Sequence, residues 1–385
     1  MPAKTYDFAV IGAGVFGAWT VQYLLRSGAR VALLDAYGAA NSRASSGGET
    51  RIIRMGYGPD ELYTRWAARS LPVWQEFFVR IERPLFHKTG VLWVSDDADG
   101  HLSAMLRIMG EAGVVCERLS SAGIQKRFPQ LVFPDVTCGV YEPLSGVLMA
   151  RQSVQAVVQD AIEHGVEYFN ASVAPPSGKG RLDAVRTSAG ESVSAGSFIF
   201  ACGPWLPKLF PEVVGDRIHP TRQEVFFLGV PPGDARFGVP HMPAWLHHNH
   251  PDRVYSLPDL ENRGFKVAFD THGPIIDPDM ETRTVGRDSI DRLRNYLREH
   301  MPALKDAPLV ETRVCQYENT SNGDFLIDRH PEMENVWLVG GGSGHGFKHG
   351  PAVGEYVSSR ILRNAPAEPR LSLKSKGTTR TRKVY

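Results

Sequence analysis

Cysteine is scarce in this chain: Cys116, Cys138, Cys202 and Cys315 are the only four in 385 residues, and no two share a CxxC spacing. A disulfide framework and a cysteine-based zinc module are both excluded, and a reducing, cytoplasmic compartment is expected. Charge of one sign is missing too. The formal net charge is +1, so no basic field covers the surface to neutralise phosphates, and nucleic acid is not an expected partner. No apolar run reaches the roughly 18 residues needed to cross a bilayer. The stretch from Ile11 to Leu25 is apolar enough to suggest a signal peptide, but Asp7 precedes it and glycines punctuate it. Internal repeats are absent. The run HHNH at His247 to His250 invites a metal reading. Adjacent histidines in an extended segment point in different directions and no further ligand set accompanies them, so a polar loop without metal is expected. What is present is an ordinary globular mixture, 42% hydrophobic and 22% charged, long enough for two domains.

The amino-terminal stretch YDFAVIGAGVFGAWTVQYLLRSGARVALLDA carries the clearest motif. Tyr6 to Ile11 and Arg30 to Leu34 have strand composition, and Ala18 to Leu25 has helical character. Gly12, Gly14 and Gly17 form GxGxxG between them. Gly12 suits a tight turn, Gly14 admits a pyrophosphate close to the backbone, and Gly17 lets helix and strand pack closely, with the helix amino terminus facing the phosphates. Asp35 closes the second strand about 20 residues later, where an acid accepts a hydrogen bond from an adenosine ribose hydroxyl. Together they predict a dinucleotide site. Instead of further βαβ repeats, Tyr37 to Gly58 is a glycine- and serine-rich loop, and no second GxGxxG follows a strand. That favours a flavin over a nicotinamide cofactor, with electrons leaving to oxygen or another small acceptor.

Farther along, apolar spacing predicts helices over Asp60 to Arg83, Arg151 to His164, Asp288 to His300 and Ala352 to Leu362. Pro72 is expected to kink the first, whose aromatic run reads as core, and Gly165 to end the second. Gly90 to Ser95, Ser197 to Cys202 and Val336 to Val339 read as strands, and strand candidates crowd Glu224 to Phe269. The glycine cluster Gly340 to Gly346 offers successive N–H groups that can nest an anion. The expected fold is an α/β Rossmann-like FAD-binding domain, made of residues 1–85, 146–220 and 316–365. Inserted in it is an α+β, mainly antiparallel-sheet substrate domain of residues 86–145 and 221–315. Residues 366–385 are expected to form a flexible tail, polar and basic from Lys374. Cys315, within VCQY, reads on its own as a packed core thiol.

These glycines and Asp35, with SSGGETRIIRMGYG, GFKVAF, VCQYENT, FLIDRHP and SGHGFK in that order, resemble the family of monomeric sarcosine oxidase, N-methyltryptophan oxidase and pipecolate oxidase. These are flavin amine oxidoreductases related to D-amino-acid oxidase. The likeness runs from Asp7 to about Leu362. It implies FAD as cofactor, joined through the Cys315 sulfur, and contacts to it from Ser46, Thr50, Arg51, Gly344, Gly346 and Lys348. It also implies that Arg54 and Lys348 hold a substrate carboxylate, that Arg51 lies near the flavin's reactive face, and that Tyr255 and Tyr317 line the substrate cavity. Lys266 would be the cation that assists oxygen reduction. The activity implied is oxidation of secondary or N-alkylated amino acids by a monomeric enzyme: hydride from the carbon beside nitrogen to flavin, hydrolysis of the imine, and reoxidation by O2 to hydrogen peroxide. Alternatives are a dehydrogenase with another acceptor and a tailoring flavoenzyme for a larger amine.

The chain departs from those relatives twice. Asp270 stands where they carry a histidine in the cavity, and Ser46 and Gly47 stand where they carry a histidine pair. A carboxylate at 270 is expected to repel an anionic substrate unless Arg51 or Arg54 neutralises it, and to attract an ammonium group.

Overall fold

The computed structural model describes residues 5–379. Two large sheets organise them. The first runs in the order Leu326–Arg329, Val336–Gly340, Ser192–Phe200, Thr5–Ile11, Val31–Leu34 and Glu167–Phe169, with Ala184–Arg186 beside Ser192–Phe200. Its four central pairings are parallel. Strands of this kind are covered on both faces, which explains why Val31–Leu34 is apolar at every position and buried throughout. The helix Val15–Arg26 follows the first strand and packs against Gly350–Arg363, the helix that follows the last parallel strand. The first and last motifs of the chain therefore meet in space.

The second sheet has eight strands among the described residues, ordered Leu309–Thr320, Ile218–Leu228, Phe265–Phe269, Val254–Leu257, Ala244–His247, Val91–Ser95, Cys138–Glu142 and Glu117–Ser120. It is antiparallel except where Ala244–His247 runs parallel to Val91–Ser95. The amphipathic helix Arg287–His300 lays Leu293, Tyr296 and Leu297 onto its core. A small third sheet joins Thr50–Ile53, Gly146–Met149 and Phe86–His87.

Helices lie over Glu61–Arg80 and Ala150–Glu163, close to the expected bounds, and Pro72 sits inside the first without ending it. The aromatic run of that helix is core: Trp74 meets Trp19 edge-on at 4.9 Å and stacks on Phe347 at 5.8 Å. Three expectations need amending. The boundaries placed at 220 and 316 fall inside Ile218–Leu228 and Leu309–Thr320, two long strands paired along nearly their whole length. His247 is no loop residue; it ends a strand, is fully buried and shares a hydrogen bond with Tyr296 at 3.1 Å. The segment after 366 is tied down through Gly377, because Arg370 bonds both Asp60 and Asp324, Leu371 is buried, and Lys376 donates to Asn322 at 3.3 Å. Residues 380–385 of the expected tail lie outside the described residues.

Candidate active site

A cavity of about 330 Å³ runs across the carboxyl ends of the parallel strands, where ligands of open α/β sheets bind. At one end, Asp35 accepts hydrogen bonds from the Ala13 amide at 2.7 Å and the Tyr37 amide at 2.9 Å. Burial raises its pKa, and these amides pull it back. Gly12 forms the turn at φ +107°; a Cβ there would lie 2.2 Å from the Ala201 carbonyl oxygen, so no side chain fits. Gly14 lines the cavity, and Ser46 accepts from the Val15 amide at 3.1 Å, capping the helix that faces it. Gly17 does not line the cavity; it packs against the Gly12 carbonyl. Gly342, Gly344 and Gly346 line it too, as do Arg51 and Tyr317, which also border a second, smaller cavity.

This shape suits a dinucleotide. Six glycines are set among apolar side chains in its lining, a helix amino terminus points into it, and the Ser45 hydroxyl there is buried with no partner among the described residues. Thr50, Cys315 and Lys348 lie outside that lining. Thr50 offers its carbonyl to Arg51 at 2.8 Å and to Lys266 at 3.0 Å.

Arg51 borders three spaces: the large cavity, a recess of about 20 Å³ shared with Lys266 and Cys315, and a second cavity of about 60 Å³. It donates to the Ser45 carbonyl at 2.7 Å and reaches the Cys315 sulfur at 3.4 Å. Burial opposes its charge, but Cys315, Tyr255 and Tyr317 more than compensate, and its pKa lies above the ordinary arginine value. Cys315 is half-buried and faces solvent-sized space, not a packed core. Lys266 is buried, and its pKa is driven well below the ordinary lysine value, first by burial and then by the charge of Arg51.

The 60 Å³ cavity brings together Arg54, Tyr255, Asp270, Tyr317 and Lys348, which are scattered over the sequence. Arg54 is buried between the rings of Tyr57 at 4.4 Å and Trp93 at 4.5 Å. Lys348 donates to the Tyr57 hydroxyl at 2.9 Å and the His345 carbonyl at 3.0 Å, and burial followed by Arg54 pushes its pKa well down. Asp270 accepts from the Tyr317 hydroxyl at 2.7 Å. Burial raises its pKa, opposed by that bond and by the charges of Arg54 and Lys348. Tyr255 and Tyr317 are both held protonated, chiefly by burial.

Sequence reasoning passed over several residues here. His272 and His345 line the same cavity, and Tyr57 joins Lys348 to His349 at 2.7 Å. Glu142 is buried and accepts from the amides of Met55 and Gly56, the Trp93 indole and the Ser145 hydroxyl, which fixes the turn after Arg54. The only signal was an acid ending an apolar strand, VYE. Gly47 lines neither cavity. A Cβ there would lie 1.9 Å from the Asn41 carbonyl, and its own carbonyl accepts from Arg151 and Arg313. Among the described residues no group of His, Cys, Asp or Glu could hold a metal ion, and no helix is long and apolar enough to cross a membrane.

The chain is 30% identical over 367 residues to monomeric sarcosine oxidase from Bacillus sp. (strain B-0618), with 93% of this chain and 92% of that protein covered. It is 30% identical to human peroxisomal sarcosine oxidase, covering 94% and 93%, and 28% identical to N-methyl-L-tryptophan oxidase of Salmonella agona (strain SL483), covering 94% and 96%. In fold it matches L-proline dehydrogenase from P. horikoshii with a TM-score of 0.84 at 20% identity, covering 97% and 98% of the two chains. NikD, an amino acid oxidase of nikkomycin biosynthesis, matches at 0.77 and 22%, covering 96% and 98%. Residues 7–360 match the model of the FAD dependent oxidoreductase family, to which this chain therefore belongs.

Proposed function

We propose that this FAD-dependent oxidoreductase is an oxidase of secondary or N-alkylated amino acids. The observation that carries the reading is the bipolar cavity, in which the buried basic side chains of Arg54 and Lys348 share about 60 Å³ with the carboxyl of Asp270. A zwitterion complements it. Its carboxylate meets the planar fork of Arg54 and the ammonium of Lys348, and its own ammonium faces Asp270. An amine gives up hydride from its α-carbon only once its nitrogen is free of the extra proton, and ionised Asp270 can accept that proton. Tyr317 holds the carboxylate toward the cavity. The small volume favours a compact amino acid over a large tailoring substrate, and the oxidases named above support the reaction class.

Bound FAD supplies the two-electron acceptor. Gly12, Gly14, Asp35, Ser46 and the Gly342–Gly346 loop hold it, and Cys315 anchors it by a thioether. Flavin that stays with acid-precipitated protein supports that anchor, and complete release refutes it. Lys266 presents a cation to the negative charge that develops as O2 is reduced to hydrogen peroxide. Because its pKa is depressed, oxygen reactivity is expected to fall as pH rises through that value. The reading places the enzyme in the cytoplasm as a monomer; its four free cysteines support a reducing setting.

Anaerobic bleaching of the flavin absorbance by sarcosine, other N-methyl amino acids, proline and pipecolate tests this function. Bleaching by that class with rapid recovery in air is expected, and Lys266→Met is expected to slow the recovery alone. Slow recovery of the parent enzyme in air would favour a non-oxygen acceptor, and no bleaching by any of them would overturn the substrate class.

A further inference from the structure

Glu318 has no role in the chemistry above, yet it is a buried carboxyl in the lining of the large cavity. Across the carboxyl ends of the parallel strands the order is Asp35, the Gly12 turn, Gly203 and Gly340, and the Glu318 carboxyl lies against Gly203, Gly340 and Gly342. Its chain neighbour Tyr317, with Arg51, borders both the large cavity and the small one. Its partners in the protein are backbone amides: Gly341 donates at 3.3 Å, and Gly342 also lowers its pKa. Among the described residues no salt bridge reaches it, and burial lifts its pKa to about 7. Two amides leave part of a carboxyl's hydrogen-bonding capacity unused, and a buried polar group short of partners is costly.

We propose that Glu318 holds a hydroxyl of the ribityl chain of bound FAD. The order of groups in the cofactor matches the order of residues along the cavity: ribose at Asp35, diphosphate at the Gly12 turn and helix amino terminus, ring at Arg51 and Tyr317. The ribityl chain is what remains for the stretch between. Its hydroxyls can donate to a carboxylate or accept from a carboxylic acid, so they complement Glu318 in either state. The diphosphate cannot, since a carboxylate beside it adds negative charge to negative charge. The proposal rests on the FAD assignment and not on the identity of the amine.

The test uses full-length protein carrying Cys315→Ser, stripped of flavin. FAD binding is read by quenching of flavin fluorescence, and ADP binding by calorimetry. ADP carries the adenosine and diphosphate but neither ribityl chain nor ring. Glu318→Leu is expected to weaken FAD about tenfold or more, as loss of a buried hydrogen bond to a charged group implies, while ADP affinity stays within about twofold. Should the leucine variant not fold, Glu318→Asp keeps the charge and withdraws it by one methylene; the same FAD-selective loss is expected, about threefold. Equal losses for FAD and ADP, or no loss for either, would overturn the proposal.

Discussion

The two cavities that meet at Arg51 are built from different materials. The large one is lined by glycines, exposed backbone and apolar side chains such as Phe16, Trp205 and Phe347, and its polar elements include peptide N–H groups, a helix terminus and the acids Asp35 and Glu318. The small one is walled by side chains, with buried Arg54 and Lys348 and the carboxyl of Asp270 set among Tyr57, Trp93, Tyr255 and Tyr317. A backbone cradle serves one invariant ligand and tolerates no added atoms. A side-chain cradle can be retuned by single substitutions.

The contrast can be broken most sharply at Gly12. Gly12→Val is expected to abolish flavin incorporation, because the turn needs positive φ and the new Cβ meets the Ala201 carbonyl; the flavin-to-protein absorbance ratio measures it. Arg54→Ala is expected to lower kcat/KM roughly 10²–10³-fold with flavin content unchanged, since it removes a buried carboxylate partner. Loss of flavin in that variant would show that the cavities are not separable. Asp270→Asn is expected to cost roughly 10²-fold in kcat/KM and to remove the acidic limb of its pH profile. The sign follows from the raised pKa: as the proposed proton acceptor Asp270 would act only when ionised, so the wild-type rate is expected to climb as pH rises through its pKa. The smallest effect concerns stability. His101, stacked on His248 at 3.9 Å behind Trp93, has its pKa lowered to about 3 by burial and then by His248. Its neutral form stabilises the fold fully above about pH 6.5, and that contribution is lost as pH falls from there, by up to about 1.4 kcal/mol per pH unit. Acid unfolding of wild type and His101→Phe, followed by tryptophan fluorescence, is expected to show a shallower slope in the variant.

The same contrast explains what could be read from sequence. Gly12, Gly14, Gly17 and Asp35 act through local backbone geometry, so their spacing alone announced a dinucleotide site. Helices with a clear apolar stripe, such as Arg287–His300, were legible for a similar reason. Arg54, Asp270, Tyr317 and Lys348 converge only through strand register and helix packing, and no spacing rule brings Asp270 to Tyr317; resemblance supplied those positions. Glu142 and Tyr57 escaped notice because their partners lie far away along the chain. The burial of His247 is not legible in a polar HHNH run, because it depends on the Tyr296 hydroxyl that a distant helix brings to the imidazole. The anchoring of the end of the chain is not legible either, since an arginine holding Asp60 and Asp324 from 370 reads in isolation as surface.

Arg51 touches the large cavity, the small one and the recess of Lys266 at once. Reduction of the cofactor by amine and its reoxidation would thus share one electrostatic post. On the proposed function, position 270 borders only the small cavity, so substitutions there would change the amine accepted, while a change at 51 would affect both half-reactions. Laboratory evolution of this scaffold should therefore find its gains around the outer residues and its losses concentrated at that single guanidinium.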